Sequence, residues 1–242
     1  MIKKAFSIFL VVGLLLCLFS AAYAQNQDSE VDILRAEIKA QLAKNLKELN
    51  IEGEYKRIVH LDITEDLDTI RNSSKPIKIY SETITSEEND SRNVGILSTP
   101  EIVWKATGET WWWDGRPISY TSKLEAWKRP VSGSGDDYKL HKYYFTWSNN
   151  NMIDGVTRID NSKRQRDCRD ISDDYRLDCV GTWSVSSNGG SMTTTCYPNN
   201  YVLIIESNGY CVALNNIRMY WQGYGNWTVF DAVGWNDHLW NI

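Results

Sequence analysis

The sequence predicts a mainly β protein: an antiparallel β-sandwich preceded by one amphipathic helix. Three observations carry this. Four hairpin signals, the turn pairs Asp114-Gly115, Asp154-Gly155, Asn188-Gly189 and Asn208-Gly209, punctuate residues 114–209, and such dipeptides accept the positive φ that tight reversals need. Apolar residues between them alternate with period two, as on a strand with one buried face. A helical period occurs only near the start.

The N-terminal 24 residues read as an export signal outside the fold. Lys3 and Lys4 precede an apolar run from Ala5 to Ala22, and Ala22-Tyr23-Ala24 supplies the small-x-small pattern of a cleavage site. A lipid anchor on Cys17 is rejected, because Leu16 stands where a small residue is needed and apolar residues continue beyond it. After cleavage no apolar run is long enough to span a bilayer. The expected organisation is therefore a signal peptide over 1–24, a helix within 25–50 and a β-sandwich over 51–242. The expected location is secreted or extracytoplasmic.

Residues 29–49 form the helix. Val31, Leu34, Ile38, Leu42, Leu46 and Leu49 recur at three- and four-residue spacings. Asp28 or Ser29 caps the start. The stripe either packs on the following domain or meets a partner chain, and barely three heptads make no coiled coil.

Beyond Gly53 the pattern becomes β. Tyr55 to Ile63, Pro76 to Thr85 and Glu101 to Thr107 have strand length, and residues 86–94 read as a solvated acidic loop. Ile118, Tyr120, Leu124 and Ala126 fall on one strand face; Tyr143, Phe145 and Trp147 on another; Ile217, Met219 and Trp221 on a third. The uninterrupted apolar run Tyr201 to Ile205 predicts a central strand covered on both sides. The stretch 128–137 reads as a long hairpin loop, and Pro117 marks its strand as an edge.

Composition narrows the function. The chain has 242 residues, a formal charge of −5 that becomes more negative once Lys3 and Lys4 are removed, and 42% hydrophobic content. That balance argues against nucleic acid as a partner, since binders of nucleic acid carry a basic footprint. No metalloprotease, nucleophile-elbow or P-loop motif is present, and the three histidines are far apart. No catalytic residue, metal ligand or cofactor is assigned. The acids Asp167, Asp170, Asp173, Asp174 and Asp178 are interleaved with Arg166, Arg169 and Arg176, which reads as a self-neutralising loop rather than a calcium site. Asn72, Asn89 and Asn226 each begin an N-glycosylation sequon.

Removing Cys17 leaves Cys168, Cys179, Cys196 and Cys211, an even number in an exported chain, which predicts two disulfides. A turn at Asp173-Asp174 would set Cys168 against Cys179, leaving Cys196 with Cys211.

Aromatic content is the most unusual feature: 11 Trp outnumber 5 Phe. Trp111 and Trp113 flank Trp112 before a turn, and Tyr224, Trp227 and Trp235 lie in a glycine-spaced C-terminal cluster. Flat rings near an edge or loop hold sugar rings by stacking, so Trp111, Trp113, Tyr224, Trp227 and Trp235 are the candidate ligand-binding residues. The leading expectation is a secreted, non-catalytic, carbohydrate-binding protein. The alternative is a cell-envelope structural or interaction protein whose helix meets a cell-surface partner. A secreted hydrolase and a β-pore-forming protein are minor alternatives.

Overall fold

A computed structural model describes residues 29–63, 67–86, 99–113, 116–131, 135–149, 156–168, 177–184, 189–204, 209–221 and 225–235. The expected export signal over 1–24 and the expected acidic loop over 86–94, apart from Ser86, lie outside them. Helix α1 spans 29–48 and α2 spans Leu67–Arg71. The strands are β1 (Tyr55–Leu61), β2 (Ile77–Ser86), β3 (Glu101–Trp113), β4 (Arg116–Val131), β5 (Gly135–Asn149), β6 (Val156–Arg166), β7 (Leu177–Ser184), β8 (Gly189–Thr195), β9 (Val202–Leu203), β10 (Tyr210–Trp221) and β11 (Gly225–Trp235).

Two antiparallel sheets make the sandwich. The large sheet runs β1-β2-β3-β4-β5-β8, with β9 also on β5; the small sheet runs β11-β10-β6-β7. The predicted alternation holds. Ile118, Tyr120, Leu124, Ala126, Tyr143, Phe145 and Trp147 all point into the inter-sheet core, meeting Ile159, Ala213, Ile217, Met219, Val229 and Val233 from the small sheet. Phe145 stacks on Tyr120 at 5.5 Å, and Trp147 lies flat over Gly190, where a Cβ would sit 2.8 Å from the indole.

The helix forms a third layer on the other face of the large sheet. Leu34, Ile38 and Leu42 pack with Ile79, Tyr80 and Trp112. Leu46 and Leu49 pack on Ile84 and Ala106. Gly108 lets this layer close, because a Cβ there would stand 3.2 Å from Leu42. The stripe is thus buried on its own sheet, so a partner chain would have to meet another surface of the helix.

Several sequence expectations are corrected. Only Asp114-Gly115 joins neighbouring strands, with Trp113 paired to Arg116. The segments containing the other three turn pairs carry the chain from one sheet to the other: β5 to β6, β7 to β8, and β9 to β10. A dipeptide that accepts positive φ reverses the chain, but it does not decide whether the flanking strands pair. β4 is central rather than an edge. Pairing to β5 begins at Ile118, so Pro117 needs no ladder donor on that side. The supposed long loop over 128–137 is mostly strand, with Val131 paired to Gly135. The described part of the run after Tyr201 yields the two-residue β9, which pairs with β5 while its Leu203 carbonyl accepts from the Cys168 amide.

The disulfide expectation is also corrected. Cys179 stands opposite Lys163 in the β6–β7 ladder, not opposite Cys168. Cys168, Cys196 and Cys211 form no disulfide. Cys196 and Cys211 are both buried in the inter-sheet core. Burial pushes the Cys211 thiol pKa up, and the neighbouring Cys196 adds to this.

Candidate functional site

The residues expected to bind ligand do not come together as a platform. Trp235 is 8% exposed and stacks on Tyr138 at 5.0 Å inside the core. Strand alternation turns Trp111 inward, where its Nε1 donates to Glu109 at 3.0 Å and Lys78 covers its ring at 5.2 Å. Trp227 packs half-buried against the same core. Trp112 faces the helix layer. Tyr224 and the side chain of Trp113 lie outside the described residues. The Trp-rich texture here largely fills the interior.

That interior holds most of the buried ionisable groups. Asp231 on β11 accepts from Thr107 of β3 at 2.8 Å, from Ser122 of β4, and from Asn215 of β10 at 2.9 Å. Asn161 donates to Asn215 at 2.6 Å, and the Lys163 ammonium donates to Asn161 at 2.8 Å and to Thr194 of β8 at 2.9 Å. Gln165 accepts from the Leu140 amide and donates to the Asn200 carbonyl. Glu109 is held by Lys78 at 2.7 Å, by Trp111 and by the Tyr120 hydroxyl. Burial raises the Asp231 pKa from 3.8 to about 6, Glu109's charge adds to this, and the three donors oppose it. Both carboxylates are engaged by internal donors, and both bind strand to strand. Such closed networks set register and rigidity; they offer no free acid to a substrate.

The open chemistry lies on the outer face of the large sheet, where α1 ends. Trp104, Tyr144 and Lys123 share this face with the last turn of the helix layer. Lys123 Nζ lies 4.9 Å from the Tyr144 ring centre and 5.5 Å from that of Trp104. The same ammonium pairs with Glu125 at 2.8 Å, which also accepts from the Tyr144 hydroxyl at 3.1 Å. Burial and Glu125 push the Tyr144 pKa up to about 12. One row further, Ile102 lies opposite Trp127, and Trp127 opposite Lys139. The Trp127 and His141 rings stand 5.4 Å apart. Tyr201 is covered by Arg129 at 4.3 Å and Lys139 at 4.7 Å. Ile102 is 45% exposed and Tyr197, just beyond β8, is 85% exposed.

A β-bulge builds this face. The β4–β5 register shifts between Glu125 and Ala126, so that Glu125 pairs with Lys142 but Ala126 pairs with Leu140. His141 is the extra residue. Lys139 and Lys142 would lie on opposite faces of a regular strand; the bulge brings both to the outer one.

Trp104, Trp127 and Tyr144 were missed as candidates, although the signal was present. If Ala126 and Leu124 face the core, Trp127 faces away; if Tyr143 and Phe145 face the core, Tyr144 faces away as well. Among the described residues no group of three or more His, Cys, Asp or Glu could hold a metal ion, and no helix is long and apolar enough to cross a membrane. Comparison with family models, curated proteins and solved structures finds no match, so the reading of function rests on the geometry of this face.

Proposed function

We propose that this is an exported, non-catalytic binding protein that holds a polysaccharide on the aromatic outer face of its large sheet. One observation carries the reading. Where α1 ends, that face presents the partly buried rings of Trp104 and Tyr144, and one row further Trp127 with the exposed Ile102 opposite it. The register puts Trp104 and Trp127 on neighbouring strands in the diagonal relation, about 7–8 Å apart at the backbone. That matches flat rings meeting the C–H faces of successive sugars, while Lys, Glu and Tyr heads address hydroxyls. The engagement of Glu109 and Asp231 by the core favours binding over hydrolysis.

The test is tryptophan fluorescence of the 25–242 protein, with acrylamide as quencher, across a panel of polysaccharides. One glycan is expected to protect a minority of the indoles. Trp127→Ala is expected to abolish that protection without lowering the melting temperature by more than a few degrees. Protection that survives Trp127→Ala and Trp104→Ala together would move the ligand elsewhere, and indifference to the whole panel would remove the reading.

A further inference from the structure

We propose that the polysaccharide held here is an acidic one, its anionic groups lying against Lys139 and Lys142 while its rings stack on Trp127 and Trp104. This rests on the binding role proposed above for the same face.

The argument begins with charge. The face carries Lys123, Arg129, Lys139 and Lys142, against Glu125, Asp137 and, from the last turn of α1, Glu48. Each acid is occupied: Glu125 by Lys123 and Tyr144, Asp137 by Arg129 at 2.8 Å, and Glu48 by the Thr146 hydroxyl at 2.9 Å. No carboxylate among the described residues pairs with Lys139 or Lys142. Lys139 rests on the Tyr201 ring, and Lys142 stands opposite a glutamate that Lys123 already holds. The face is thus net positive in a chain whose formal charge is −5. A local field against the overall sign selects an anionic ligand and steers its approach.

The bulge at His141 makes this excess. It places Lys139, His141 and Lys142 together beside Trp127, where regular alternation would have sent one lysine to the core side. His141 reports the resulting field. Burial depresses its pKa, Glu125 opposes this, and the charges of Lys142 and Lys139 depress it further. A neutral sugar would leave two ammonium groups at its edge without a partner; a uronate or a sulfated sugar supplies one at ring spacing.

The experiment compares polygalacturonate with its neutral methyl ester, which keeps the same ring, by calorimetric titration of the 25–242 protein. Dextran sulfate, dextran and polyacrylate complete the set. An acidic glycan is expected to bind roughly tenfold or more tighter than its neutral counterpart at low salt. Most of that advantage should vanish by about 0.5 M NaCl, where exposed charges are screened within a few ångströms. Lys139→Gln with Lys142→Gln should erase the advantage, lowering acidic-glycan affinity to that for the neutral glycan while shifting the melting temperature by no more than a few degrees. Tight binding of dextran sulfate but not polygalacturonate identifies sulfate as the anionic group, and the converse identifies carboxylate. Equal binding of charged and neutral glycans overturns the acidic assignment but leaves the glycan-binding role standing. Polyacrylate binding as tightly as the acidic glycans removes the stacked rings from the account, and binding of none overturns both readings.

Discussion

The large sheet has two covered faces, and they are built on opposite plans. Under the helix, the contact is apolar: Leu34, Ile38, Leu42, Leu46 and Leu49 lie on Ile79, Tyr80, Ile84, Ala106 and Trp112. Its main buried charge is Glu82, held by Arg57 and the Tyr80 hydroxyl, each at 3.0 Å. Against the small sheet, a comparable apolar core is threaded by Asp231, Asn215, Asn161, Lys163, Gln165 and Glu109. The first contact is made mainly by complementary shape, with polar links at its margins from Arg35 to Asp62 and the Ile63 carbonyl and from Thr146 to Glu48. The second is satisfied in one register only, because each donor has a named acceptor on a particular strand. Adhesion and alignment are thus separate tasks, given to separate faces.

The sharpest way to break this contrast is Asp231→Ala. It strands Thr107, Ser122 and Asn215 in a dry core and should cost about 3–5 kcal/mol, read from chemical denaturation. Next is Leu42→Ala in the helix layer, expected to cost about 2–4 kcal/mol by cavity formation. The two should also differ in kind: only the Asp231 variant is expected to lose the sharp near-ultraviolet dichroism of a uniquely packed core.

A third measurement uses pH. Asp231 binds its proton more tightly when folded, at about 6 against 3.8. Its contribution to stability is therefore fullest below 3.8 and is lost as pH rises through about 6, by an amount on the order of 3 kcal/mol. Asp231→Asn keeps the acceptor and adds a donor that the rotating hydroxyls can meet. The difference in unfolding free energy between this variant and the parent should grow across that window in the variant's favour. A difference that stays flat with pH would mean that the carboxyl titrates normally. The helix layer predicts no such slope for Leu42→Ala.

A fourth test concerns the thiols of the same core. Cys196 and Cys211 should be inert to a thiol reagent in the folded protein and react fully in denaturant without reductant. The smallest effect is expected at the sheet edge. Ile58 on β1 is 43% exposed, and Ile58→Lys should change stability by no more than about 0.5 kcal/mol.

The β class, the strand faces and the helix stripe were legible because each is a local pattern: period two puts Tyr120 and Phe145 inside, and period 3.6 lines up Leu34, Ile38 and Leu42. Strand partnership was not. Asn188-Gly189 reads as a turn as clearly as Asp114-Gly115 does, yet the strands flanking the first belong to different sheets and those flanking the second pair with each other, and nothing within the dipeptide records the difference. The disulfide expectation failed for a related reason. Spacing suggested Cys168 with Cys179, but the β6–β7 register gives Cys179 to Lys163. The aromatic site was half legible. Counting tryptophans pointed to the clusters at 111–113 and the C-terminus, where density reflects core filling; the open rings occur singly, at Trp104 and Trp127, and only their phase against the core betrays them. The bulge at His141 shows in the sequence only as a slip of phase, Tyr138 and Leu140 facing the core at even positions and Tyr143, Phe145 and Trp147 at odd ones.

The hydrogen-bonded interior has a mechanical consequence for the exterior. Leu124 and Ala126 alternate with Glu125 and Trp127 along one backbone, so the inner and outer surfaces of β4 are a single sheet of material. Links from Asp231 to β3 and β4, and from Lys163 to β8, resist sliding of one sheet over the other, as rivets stiffen a laminated plate against shear. The curvature of the large sheet, and with it the distance from the Trp104 ring to that of Trp127, is held from behind by groups no ligand touches.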